Sequence, residues 1–71
     1  MKLHYYPETD SLYIDLNAKP CVDSREVADG VVIDLDAEGN VVGIDIDSAS
    51  TKLDLKVLET ESLPATNVKI A

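Results

Sequence analysis

The chain has 71 residues, 45% of them hydrophobic and 28% charged, and fourteen acidic against six basic side chains leave it at −8. That length makes one small domain, and its patterned Val, Ile and Leu exclude low-complexity disorder. The charge balance excludes the basic stripe that nucleic acids and anionic membrane surfaces require, leaving a basic protein or a divalent cation as plausible partners.

Leu3 and Tyr5 alternate with Lys2, His4 and Tyr6, and Leu12, Ile14 and Leu16 alternate with Tyr13 and Asp15. Period two predicts strands over 2–6 and 11–16. Pro7-Glu8-Thr9-Asp10 between them is a four-residue turn, which pairs Tyr6 with Ser11, Leu3 with Ile14 and Lys2 with Asp15. Residues 22–28 form a weaker strand, and Asp29-Gly30 turns it into a strand over 31–36. A two-residue turn there sets Val27 opposite Val32 and Arg25 opposite Asp34.

The strand over 41–47 follows the loop Ala37-Glu38-Gly39-Asn40. An even loop sets Leu35 opposite Val42, Asp36 opposite Val41 and Ile33 opposite Ile44. An odd loop would invert every later side chain unless a bulge, best placed at Gly43, restored the phase. The even loop is expected.

Ser48 or Ser50 suits a helix cap, and Leu53, Val57 and Leu58 would share one stripe of a short or broken helix over about 49–61. Leu53, Leu55 and Val57 also alternate, which leaves a strand open. Residues 67–71 read as a tail or a late edge strand. The expected fold is α+β. It is an antiparallel β-meander of about five strands (2–6, 11–16, 22–28, 31–36, 41–47), its apolar face covered by the helical segment.

Three ordered blocks carry a family resemblance: Tyr6-Pro7-Glu8-Thr9-Asp10-Ser11-Leu12-Tyr13-Ile14, then Glu26 to Asp36, then Val41 to Ile46 with Asp47-Ser48-Ala49-Ser50. Together they resemble the domain-of-unknown-function family 2283, the YuzE-like small bacterial proteins. The resemblance spans about residues 1–53 of the single domain 1–71 and leaves 54–71 less defined. It implies a small α+β fold and a cytoplasmic location, with no activity and no catalytic residues to carry over. Some members look like antitoxin-type partners of small basic proteins.

The face opposite the apolar one is expected to carry Asp15, Asp23, Asp34, Asp36, Asp45 and Asp47, answered mainly by Lys2 and Arg25. Asp15, Asp34, Asp36, Asp45 and Asp47 are the candidate partner-binding residues. Asp34, Asp36 and Asp45 are the weaker metal alternative. Asp34, Asp36, Glu38, Gly39 and Asp45 match the spacing of a calcium loop, but that loop joins helices. Extended strand also separates Asp34 from Asp36 by nearly ~7 Å.

His4 reads as a surface neighbour of Tyr13, and Cys21 as a structural thiol with no second histidine to activate it. A lone cysteine and the absence of an apolar leader or span predict a reducing cytoplasm. No cofactor, nucleic acid or membrane is expected. The functional expectation is a non-enzymatic protein-interaction module, either a homodimer or a binder of a basic partner. The alternative is a low-affinity divalent-cation binder using the Asp-rich face.

Overall fold

The computed structural model describes residues 1–71. The apolar–polar alternation is realised as five strands: β1 (Lys2–Tyr6), β2 (Ser11–Asp15), β3 (Asp23–Ala28), β4 (Val31–Leu35) and β5 (Val41–Ile46). One helical turn, α1 (Ala49–Lys52), follows. All neighbouring strands are antiparallel, in the order β1-β2-β5-β4-β3.

The strands therefore do not run as a simple meander, in which β3 would lie beside β2. Residues 16–22 carry the chain past the position of β5, and β5 later closes against β2. Polarity accounts for this order. β3 reads Asp-Ser-Arg-Glu-Val-Ala and is exposed along its whole length, so it takes an edge. β5 takes the centre, setting Leu12 opposite Ile46 and Ile14 opposite Ile44.

The β1–β2 register is the expected one, from Lys2 opposite Asp15 to Tyr6 opposite Ser11. The other two hairpins each contain a bulge. Across Asp29-Gly30, Ala28 faces Val31, but Val27 is skipped, so Glu26 faces Val32, Arg25 faces Ile33 and Ser24 faces Asp34. The expected pairs Val27–Val32 and Arg25–Asp34 do not form. Without the bulge Ser24 and Glu26 would stand on the apolar face. With it, Asp23 and Arg25 move to that side and leave the acidic one.

Between β4 and β5 the loop is odd. The Asp36 N–H donates to the Asn40 carbonyl at 2.9 Å, and Leu35 faces Val41. The expected even loop, with its Leu35–Val42 and Asp36–Val41 pairs, is thus corrected. Asp36 decides it: one carboxylate oxygen accepts the N–H groups of Glu38 and Asn40, each at 2.9 Å, while Gly39 takes φ 83°. A bulge at Val42, not at Gly43, then restores the phase, so Asp34 faces Gly43, Ile33 faces Ile44 and Val31 faces Ile46.

The helix expected over 49–61 is only the turn Ala49–Lys52, ended by extended Leu53 at φ −127°, ψ 151°. Four residues with no side-chain cap of their own do not propagate a helix in water. The stretch that follows lies along the apolar face without sealing it. Leu53, Leu55, Val57 and Leu58 face Leu3, Tyr5, Leu12, Ile14 and Ile46 across a groove of about 820 Å³. The core is correspondingly thin. Leu12, Leu35, Val42 and Ala49 are its buried hydrophobics, and no large side chain is fully enclosed.

Candidate functional site

Strand alternation places Tyr13, Asp15, Ser24, Glu26, Asp34, Asp45 and Asp47 on the face opposite the groove, together with Lys2 and His4. Tyr13 on β2 reaches across β5 and donates to Asp34 Oδ2 on β4 at 2.7 Å. The strand between offers only Gly43, where a Cβ would fall on the Tyr13 hydroxyl. Glycine is therefore required there so that the ring can cross close to the backbone. Ser24 Oγ donates to Asp34 Oδ1 at 2.6 Å, and Cys21 Sγ lies 3.7 Å from Ser24 Oγ. Hydroxyls from β2 and β3 thus meet on one carboxylate of β4.

The electrostatics follow from these contacts. The Ser24 and Tyr13 hydroxyls hold the Asp34 carboxyl below its usual range. The same carboxylate, with partial burial, pushes Tyr13 up to about 12. At neutral pH the phenol stays protonated and the carboxylate charged. Both carboxylate oxygens accept a hydrogen bond, so the arrangement works as a strut that ties β2, β3 and β4 together.

Asp45 is different. Its carboxyl is raised by desolvation first, then by the charges of Asp47 and Asp34. Asp47 accepts from Ser11 Oγ at 3.2 Å. The one ion pair of the chain, Arg25 Nε to Asp23 Oδ2 at 3.6 Å, lies on the other side of the sheet. Asp15 has Lys2 opposite it without a close ion pair.

Of the five partner candidates, the structure brings Asp15, Asp34, Asp45 and Asp47 onto one face and withdraws Asp36 into the β4–β5 loop. Asn40 and Glu38 backbone N–H groups hold the Asp36 carboxyl below its usual range. Asp34, Asp36 and Asp45 do not converge, and no three His, Cys, Asp or Glu side chains are grouped as metal ligands would be. His4 faces Tyr13 as expected and stacks on Tyr6 with ring centroids 4.2 Å apart. Cys21 is free and exposed.

Sequence reasoning missed Asp10. In the left-handed region at φ 53°, its carboxylate accepts from Tyr5 Oη at 2.8 Å, Ser50 Oγ at 2.6 Å and the Ser50 N–H at 3.1 Å. Its carbonyl accepts the Ala49 N–H at 2.8 Å. Asp10, from the β1–β2 turn, therefore caps α1, and Ser48 does not. Ser50's hydroxyl is spent on Asp10. The available signal was an acid at the end of a turn with a serine-flanked helix start elsewhere, and nothing in the sequence connects the two.

Residues 2–50 match the sequence model of a protein family described as "Protein of unknown function (DUF2283)". The chain belongs to that family. The matched span holds all five strands, the Tyr13–Asp34 strut and both sides of the Asp10 clasp, whereas most of the groove-lining segment lies beyond it. No curated protein and no solved structure matches the chain. No helix is long and apolar enough to cross a membrane.

Proposed function

We propose that this chain is a non-enzymatic interaction module of the cytoplasm that binds a small basic protein through the acidic face of its sheet. The observation that carries this reading is Asp45, set beside Asp47 and Asp34 with none of the three carboxylates in an ion pair, the Lys52 ammonium being bonded to the main-chain carbonyls of Asp29 and Asp47. A lysine or arginine from outside would relieve that repulsion and steer the encounter. The exposed single thiol of Cys21 suits a reducing compartment. A catalytic role finds less support, because the Tyr13 and Ser24 hydroxyls and both oxygens of the Asp34 carboxylate are engaged with one another.

The test uses proteins captured from the source cell on wild-type bait, each then measured as a purified binary complex. Asp15→Asn with Asp45→Asn removes two charges that hold no hydrogen bond in the fold. Binding is expected to weaken by about tenfold and to fall steeply with added salt. Affinity that survives both the double substitution and high salt would place the binding surface elsewhere. Asp34 and Asp36 are unsuitable for this test, since both hold the fold together.

A further inference from the structure

We infer that two copies of this chain pack apolar face to apolar face, the groove beneath residues 53–58 being closed by the same groove of the second copy. The protein exposes 5731 Å², about 1,400 Å² more than the roughly 4,300 Å² expected of a compact monomer of its mass. Its radius of gyration of 13.0 Å likewise exceeds the about 11 Å expected of 71 residues. The open sheet face and the irregular residues 53–71 are the sources of the excess; the sheet face and residues 53–58 border the groove, while 59–71 extend beyond it. A standard interface covers about 800 Å² on each partner, so dimerisation would remove more than half of the excess.

Charge distinguishes a second copy from an unrelated basic partner. The groove's lining carries one acid and one base, Asp54 and Lys56, so its charges balance. Under a two-fold axis such a rim is complementary to itself. Asp15, Asp45 and Asp47, none of them in an ion pair, stand on the opposite face. Sheets stacked at about 10 Å would hold those outer faces about 20 Å apart, beyond the screening length of about 8 Å at physiological salt. The net charge of −8 therefore does not oppose this association, and a basic protein would find no excess charge in the groove to meet.

The inference extends the interaction-module reading to a second surface, and the two fail separately. Sedimentation equilibrium across the micromolar to millimolar range is expected to give a mass approaching twice 7.7 kDa, with association undiminished by salt. Leu3→Glu, at a half-exposed position of the groove, should weaken association at least about tenfold, while Asp45→Asn leaves it unchanged. Without any variant, dilution should shift the methyl resonances of Leu3, Ile14, Ile46 and Val57 and leave Val32, on the other face, in place. A 7.7 kDa mass throughout the range would overturn the inference. So would dilution shifts at Val32 in place of the groove methyls.

Discussion

The Tyr13 hydroxyl and the Asp34 carboxylate stabilise opposite protonation limits of the same contact. Tyr13 is raised, so its contribution is complete below the ordinary tyrosine value and is lost as pH rises through about 12. Asp34 is lowered, so its contribution is present above the ordinary carboxylate range and is lost as pH falls through the depressed value. Tyr13→Phe should cost about 1 kcal/mol at neutral pH and bring the Asp34 carboxyl back toward its usual range. Urea unfolding and carboxyl-carbon NMR would read the two effects, and ultraviolet titration should lose its latest-ionising tyrosine. Asp45 has the reverse sign to Asp34. Its raised carboxyl favours the fold when protonated, and that contribution disappears as pH rises through the raised value. Asp45→Asn should therefore raise neutral-pH stability by about 0.5 kcal/mol, or about 2–4 °C in melting temperature. The gain should vanish in acid, where the wild-type carboxyl is itself protonated.

α1 is too short to exist by propensity and is held at both ends by other elements. Asp10 takes its first N–H groups. At the other end Lys52 Nζ donates to the carbonyls of Asp29 and Asp47 at 2.9 and 2.7 Å, which ties α1 to the β3–β4 turn. Asp10→Ala should release the turn: the Ala49 and Ser50 amides would exchange with solvent much faster while β4 and β5 stay protected. The Ser50 and Tyr5 hydroxyls hold the Asp10 carboxyl below its usual range, so in the wild type the same release should set in as pH falls through that lowered value. Gly30 lies under the Lys52 ammonium with φ +70°. Gly30→Ala should cost about 1 kcal/mol or more by strain and by displacing that lysine, read as a lower urea midpoint.

Charge and apolar surface are segregated to opposite faces of a slab 31 × 30 × 20 Å. One side repels itself and the other is open to water, so the isolated chain is stabilised by any condition that screens the first or covers the second. Raising monovalent salt from low to physiological concentration should raise the melting temperature, because the acids of one face are screened. Asp15→Asn with Asp45→Asn should blunt that salt response. A melting temperature indifferent to salt in the wild type would mean that the aspartates are already answered.

Strand positions were legible in the residues, because a face buried on one side writes period two directly into the chain. The Pro7–Asp10 turn, the Asp29-Gly30 turn and the inward phase of Ile33, Ile44 and Ile46 all follow from local chemistry. The loop parity and the bulges did not, since Asp36 folding back onto the Glu38 and Asn40 amides outweighed the simplest register. Nor did the strand order. Antiparallel alternation says which residues point inward, but only competition among all five strands puts polar β3 at an edge and β5 beside β2. Asp10 and Tyr13 show the same limit: each acts through a partner 40 or 21 residues away. The sequence by itself determined a two-faced antiparallel sheet, apolar on one side and acidic on the other. Tertiary structure alone decided which of those aspartates are spent on holding the fold and which hold no hydrogen bond within it, because that depends on distances between segments that no local pattern encodes.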